Sequence, residues 1–251
     1  MTGVQTCALP ILPLLDRLVK TLLWAWGGWK IVTFGSQEVH DHLKTAYRAG
    51  GERAFDADFM ATVYERPFEV EQAAKIEDVL ITRSSANSVG HHLDGCRIGF
   101  DAGGSDRKVS AVIDGEPIYS EEVVWFPKTN SDPQYHYDGI LAAMKTAAEH
   151  MPRVDAIGVS SAGVYIDNKV MVASLFLKVP KEDFARRVKT MYMDVAKEIG
   201  APIEVANDGD VTALAGAMEL NAGNVFGVAM GTSEAAGYVD RDMNKIGRAH
   251  V

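Results

Sequence analysis

The chain has 251 residues, enough for one large or two small domains with hydrophobic cores of their own. Its 47% hydrophobic and 24% charged content is that of a soluble globular protein, and a formal net charge of -9 with no basic block argues against a general nucleic-acid binder or an anionic-membrane binder. Cys96 is the one cysteine besides Cys7, which lies at the extreme N-terminus, so an internal disulfide is not expected and a cytoplasmic setting is.

Thr6 to Ile11 back-translates to ACG TGT GCT CTT CCG AT, and the reverse complement of that DNA encodes Ile-Gly-Arg-Ala-His, the run that begins at Ile246. One DNA read in opposite orientations would encode both ends, as in read-through of a sequencing adapter. Residues 1–11 and 246–251 are therefore expected to be adapter-like artefact, with the natural chain continuing past both. Residues 12–95 form an expected N-terminal α+β region of unknown role. Leu14, Leu15, Leu18, Val19, Leu22 and Leu23 recur at helical spacing, and Asp16, Arg17 and Lys20 break the apolar run too often for a membrane span. Trp24 to Trp29 ends this helix, with its tryptophans packing in a small core rather than lining a pocket. Lys30 to Phe34 reads as a strand, Glu38 to Ala49 and Phe55 to Tyr64 as helices, and Val79 to Thr82 as a further strand. Arg83 to Gly90 is the expected linker. His40, His42, His91 and His92 lack a companion cluster at zinc spacing and read as solvated side chains.

From residue 96 the pattern changes. Ile98 to Asp101 is a strand, Gly103-Gly104 a turn that glycine takes without steric cost, and Val109 to Ile113 the returning strand, followed by Asp114-Gly115 and a third strand over Pro117 to Phe126. A carboxylate, two glycines and the Ser105 hydroxyl in this order suit phosphate and hydrated Mg²⁺, and they equally suit an ordinary hairpin. Tyr137 to His150 is a helix, Val154 to Ser160 a buried strand, and Ser161 to Gly163 a loop. Val164 to Val172 is a hairpin turning at Asp167-Asn168. The stripe Phe184, Val188, Met191, Val195 and Ile199 marks one helix ended by Gly200. Ile203 to Ala206 is a strand leading into the polar loop Asn207 to Asp210, and Val211 to Leu220 is an Ala-rich helix. Val225 to Met230 is a strand whose partner returns from Tyr238. Antiparallel strands followed by alternating helices and strands predict an α/β layer with a mixed sheet. Three polar loops, at Asp101–Ser105, Ser160–Gly163 and Asn207–Asp210, would meet at the carboxyl edge of that sheet, where such sheets bind ligands.

Over about residues 97–240 the chain resembles the ROK family of sugar kinases and repressors, within the actin-like ATPase group. Asp101-Ala-Gly-Gly-Ser-Asp-Arg-Lys108 with Asp114-Gly115 is similar to the family's first phosphate motif. Ile157 to Gly163 is similar to its Gly-hydrophobic-Ser-x-x-Gly loop, Val205 to Ala217 to its catalytic Asn-Asp segment, and Gly227 to Ser233 to its second phosphate motif. Ser105 stands where threonine is usual, and Ser233, Glu234 and Ala236 stand where the second motif is usually glycine-rich. The family's usual Asn and Trp are missing between Val172 and Pro180.

The resemblance implies an actin-like ATPase (ribonuclease H-like) lobe over 96–222, a mixed sheet flanked by helices, and a second lobe that starts at 223–245 and is truncated. It implies ATP and Mg²⁺, and a sugar or similar hydroxyl compound as acceptor. In the complete protein it also implies a cysteine-rich zinc motif beyond Asp240 and leaves room for a homo-oligomer. Residue by residue, Asp208 would be the base, Asp101 would organise Mg²⁺ directly or through water, and Gly103, Gly104, Ser105, Gly231 and Thr232 would contact phosphate. Lys108 would either contact phosphate or lie solvated at the strand end. Asn207 would hold the substrate, with a helix N-cap as its structural alternative, and Ser161 and Gly163 would shape the substrate wall. The expected reaction is ATP-dependent phosphoryl transfer to a hydroxyl. A sugar- or nucleotide-binding sensor and an ATPase that activates a partner enzyme are the alternatives. The 251 residues alone are expected to be inactive and to expose apolar surface where the second lobe would pack.

Overall fold

The computed structural model describes residues 11–79, 92–230, 234–242 and 245–246. The chain divides into two compact units, with the division between Ser85 and Ala86. The expected linker, residues 1–10 and 247–251 of the ends expected to be adapter-like (1–11 and 246–251), His91, and the site candidates Gly231 and Thr232 lie outside the described residues. So does the strand expected at Val79–Thr82, apart from Val79, which closes a short 3₁₀ turn.

In the first unit α1 (Ile11–Trp26) and β1 (Lys30–Thr33) are followed by α2 (Gln37–Ala46), α3 (Ala54–Tyr64) and β2 (Glu69–Gln72). Ser36 caps α2, its hydroxyl accepting from the Val39 N–H at 3.3 Å. β1 and β2 pair in parallel, Lys30 opposite Glu69 and Thr33 opposite Gln72. Parallel pairing needs a long crossover, which α2 and α3 supply. Only part of the leucine stripe of α1 is covered. Leu15, Val19 and Leu23 pack against Leu43, Tyr47, Ala57 and Met60, while Leu14, Leu18 and Leu22 are exposed. Trp24 joins that core, stacked on Phe59 at 4.9 Å with its indole N–H donating to Asp56 at 2.7 Å. Trp26 is exposed. Asp16 is buried and ion-paired to Arg53, and its second oxygen has no partner. His40, expected in solvent, is buried, with Nδ1 at 3.0 Å from the Thr33 hydroxyl. Among the described residues no group of three or more His, Cys, Asp or Glu side chains could hold a metal.

The second unit is built on a five-stranded sheet. β3 (Cys96–Ala102), β4 (Asp106–Ile113), β5 (Glu116–Val124), β6 (Ala156–Ser161) and β9 (Ile203–Asn207) lie in the order β5-β4-β3-β6-β9. β3–β4 and β4–β5 are antiparallel, and β3–β6 and β6–β9 are parallel. This is the mixed, helix-flanked sheet expected of an actin-like ATPase lobe. Between β6 and β9 lies the hairpin of β7 (Val164–Ile166) and β8 (Lys169–Val172). It turns as expected at Asp167 and Asn168, both with positive φ. Asn168 then pins the hairpin to β9, accepting from the Val205 N–H at 2.7 Å and donating to the Ile203 carbonyl at 3.1 Å.

Helix α4 (Pro133–Glu149) starts earlier than the apolar stripe suggests, because Asp132 caps it and Pro133 sits at its first position. Ile140, Met144 and Ala147 are buried against the sheet, as the stripe predicts. The single helix expected around Val188 is broken into α5 (Lys181–Asp183), a π turn over Phe184–Val188, and α6 (Met191–Ile199), closed by Gly200 at φ 86°. Helix α7 (Asp208–Leu220) begins inside the expected polar loop, so Asp208, Gly209 and Asp210 form its first turn.

After α7, β10 (Val225–Met230) pairs with β11 (Glu234–Val239), and β11 with β12 (Lys245–Ile246). The return strand starts at Glu234, not at Tyr238. Glycines join this sheet to α7. A Cβ on Gly209 would stand 2.6 Å from the Ala236 nitrogen, one on Gly227 2.4 Å from the Ala213 nitrogen, and one on Gly237 2.5 Å from the Asp210 Cα. Backbone therefore lies directly on backbone, with Ala213, Ala217 and Val239 buried between. On its other face β10 exposes Phe226, Val228 and Met230.

Candidate functional site

Register alone brings the site together. Asp101 lies abreast of Ser160, and Ala102, Ser161 and Asn207 form the next rank across β3, β6 and β9. One residue further, Gly103, Ala162 and Asp208 leave the sheet at its carboxyl edge. A cleft of about 630 Å³ opens there, lined among others by Asp101, Gly103, Gly104, Ser105, Asp106, Lys108, Lys128, Ser160, Asp208 and Thr212.

The turn after β3 differs from its expected construction. Neither Gly103 nor Gly104 has a positive φ. Crowding demands glycine at Gly103, where a Cβ would meet the Asp106 carbonyl oxygen at 2.6 Å, whereas a Cβ on Gly104 would meet only the movable end of the Lys128 side chain. The buried Trp125 holds the turn, its indole N–H donating to the Gly103 carbonyl at 2.8 Å and its backbone N–H to the Ser105 carbonyl at 3.1 Å. The Ser105 hydroxyl donates to Asp106 at 2.9 Å. Lys108 is bound to Asp106 at 2.6 Å and lies 4.0 Å from Glu122. That contact raises the Lys108 ammonium and lowers the Asp106 carboxyl relative to their ordinary values. Lys108 thus borders the cleft as half of an ion pair.

At the start of α7 the two adjacent side chains divide their tasks. Asn207 is the N-cap. Its oxygen accepts from the Gly209 N–H at 2.9 Å, and its amide donates to the Gly163 carbonyl at 2.9 Å. Asp208 also accepts from Gly209, at 3.1 Å, and faces the cleft. Burial pushes its carboxyl above the usual range, with Asp101 and Asp210 adding like-charge repulsion.

Ser161 and Gly163, expected on the substrate wall, serve the framework. Ser161 is fully buried, and its hydroxyl oxygen accepts from Tyr165 at 2.7 Å and Tyr192 at 3.1 Å. The strand alternation behind this is visible in the sequence: Ile157, Val159 and Ser161 share the inward face of β6, which turns Ser160 and Ala162 to the cleft. At Gly163, φ is 153° and a Cβ would meet the Val172 carbonyl oxygen at 2.6 Å. Asp106, Lys128 and Thr212 are lining residues with no counterpart among the sequence candidates.

Asp101 suits Mg²⁺, with Asp208 as a second carboxylate facing the same cleft. Two carboxylates that repel one another beside a bare turn are too few to enclose a metal. They match an ion that keeps most of its water and draws further ligands from phosphate.

The second unit is thus a mixed five-stranded sheet, flanked by helices, with a carboxylate-lined cleft at its carboxyl edge. No family model and no curated protein matches the chain. Solved structures do. An inorganic polyphosphate/ATP-glucomannokinase from Arthrobacter sp. strain KM is 20% identical over 62% of this chain and 62% of its own, with a TM-score of 0.49. A ROK family transcriptional regulator, a homologue of the E. coli MLC protein, is 17% identical over 64% and 41%, with a TM-score of 0.49. A ROK hexokinase from Thermus thermophilus is 16% identical over 59% and 47%, with a TM-score of 0.46. The chain spans less than two thirds of the length of each. These are likenesses of fold, and the functional reading rests on the cleft itself.

Proposed function

We propose that the cleft binds the phosphates of MgATP and serves phosphoryl transfer to a hydroxyl of a sugar or similar small molecule. The observation that carries this reading is the convergence of Asp101, the Gly103–Ser105 turn and Asp208 at one sheet edge. Mg²⁺, when bound, neutralises charge on the phosphates. Asp101 would hold it, directly or through water. The Gly103–Ser105 backbone, free of side chains at two positions, gives phosphate close access. Asp208 would accept the proton of the attacking hydroxyl, and burial that raises its carboxyl makes it a better base. Gly231 and Thr232, outside the described residues, would be further phosphate contacts by the resemblance of their motif.

Asn207 spends one amide N–H on the Gly163 carbonyl and one oxygen lone pair on the Gly209 N–H, so it holds Asp208 in place and keeps only its remaining N–H and lone pair for an acceptor. That commitment favours one second reading, a sensor that binds nucleotide or sugar without turnover. ATP titration with and without Mg²⁺ tests the shared premise. Binding that requires Mg²⁺ and is lost in Asp101→Ala is expected, and Mg²⁺-independent binding or none contradicts it. ADP release that depends on a hydroxyl acceptor marks the kinase. Binding without release marks the sensor, and release without acceptor marks an ATPase.

A further inference from the structure

The connection between β5 and α4 brings a cation into the cleft from outside the phosphate turn. Lys128 lines the cleft beside Gly103, Gly104 and Ser105. A Cβ on Gly104 would stand 2.8 Å from the Lys128 Cε and 2.9 Å from its Nζ. The missing side chain of Gly104 is thus the space that the lysine fills. Both flanks of Lys128 are anchored in the core. On one side Trp125 holds the Gly103 and Ser105 carbonyls. On the other, the buried His136 places its ring nitrogens 3.0 Å from the carbonyl oxygens of Pro127 and Asp132.

Charge in the cleft is unbalanced. Asp101, Asp106 and Asp208 all line it, and its two lysines differ in state. Lys108 is held by Asp106 and Glu122. Lys128 has no ion-pair partner among the described residues. A half-buried ammonium that is fixed at its base, unpaired, and aimed across a bare glycine is placed for an anion.

We propose that Lys128 is the phosphate-binding cation of this cleft, meeting the terminal phosphate of the phosphoryl donor over the Gly103–Ser105 turn. The proposal rests on the phosphoryl-transfer reading and adds a residue that the phosphate motif does not contain. Lys128 neutralises charge on the transferred group, while Lys108 stays with Asp106.

The test is calorimetric titration of inorganic tripolyphosphate, and separately of ATP, in Mg²⁺ buffer. The proteins are the unaltered chain, Lys128→Ala, Lys128→Arg, Lys108→Ala and the distant Lys145→Ala, each checked for fold by circular dichroism. Lys128→Ala is expected to weaken tripolyphosphate by about tenfold or more, the usual effect of losing a hydrogen bond between charged groups. Lys128→Arg should restore most of that loss, Lys108→Ala should cost less, and Lys145→Ala should show the small effect of net charge alone. Unaltered affinity in Lys128→Ala, or a larger loss in Lys108→Ala, overturns the assignment while leaving the phosphoryl-transfer reading standing. An unaltered chain that binds neither tripolyphosphate nor ATP overturns both.

Discussion

Gly227→Ala tests the account of how α7, and with it Asp208, is held. The added Cβ would lie 2.4 Å from the Ala213 nitrogen and 2.5 Å from its Cα. Carbon contacts are comfortable at about 3.5–4.0 Å, so the overlap exceeds about 1 Å. Both partners are backbone, so no side chain can swing aside, and β10 must lift from α7. Overpacking of this kind costs about 1–3 kcal/mol. Gly216→Ala, on the same helix, is the contrast. Its Cβ would meet only the Val225 Cγ1 at 3.6 Å, an ordinary contact. Replacing a helix-interior glycine by alanine there should stabilise by about 0.5–1 kcal/mol. One chemical change should therefore act in opposite directions, with the two variants separated by roughly 1.5–4 kcal/mol. Urea unfolding followed by circular dichroism reads this directly, with the midpoint of Gly227→Ala lowered by about 1 M for a typical slope. An unshifted midpoint for Gly227→Ala, or a greater loss for Gly216→Ala, would refute the close packing of helix on hairpin.

Ser161→Ala leaves two buried tyrosine hydroxyls without their shared acceptor and should cost about 1–3 kcal/mol in thermal unfolding. MgATP affinity should stay within twofold, since the serine faces the core; a large loss of affinity with stability intact would return it to the substrate wall. Arg53→Met strands the buried Asp16 carboxylate and should destabilise the first unit by about 3 kcal/mol, with Asp16→Asn in the same chain recovering part of the loss. Unchanged melting of the single variant would rule out a structural role for the pair. For Asp208 the folded carboxyl is raised above its ordinary value of 3.8, so the folded state binds the proton more readily than the unfolded one. Stability contributed by the protonated group is lost as pH rises through that window. Asp208→Asn should therefore match the unaltered chain near pH 4 and melt higher near pH 7; a gap that narrows as pH rises would contradict the burial argument.

Most strands and helices of the second unit are legible in the sequence, because the sheet and its helices bury regular apolar stripes. What escapes depends on contacts between distant segments. β2 is a short polar strand, Glu69-Val-Glu-Gln, whose only signal is its pairing with β1 across two helices. The α7 boundary shifts because Asn207 caps, which turns an apparent loop into a first helical turn. Gly103 and Gly104 are recognisable as special residues, but the reason is close approach, visible only once Asp106 and Lys128 are in place. Lys128 lies in an unremarkable Pro-Lys-Thr turn and becomes a candidate only when that turn meets the phosphate loop. Ser161 is the opposite case. Its alternation with Ile157 and Val159 marks it as buried, and a motif-based reading overrides that signal.

The central claim is that phosphate binds where Asp101, the Gly103–Ser105 turn and α7 converge. Backbone hydrogen exchange with and without MgATP tests it most directly. On adding MgATP, exchange is expected to slow in peptides covering 101–106 and 208–212, with peptides from 11–79 unchanged. Protection confined to residues 11–79, or none at the sheet edge under conditions where MgATP binds, would contradict it.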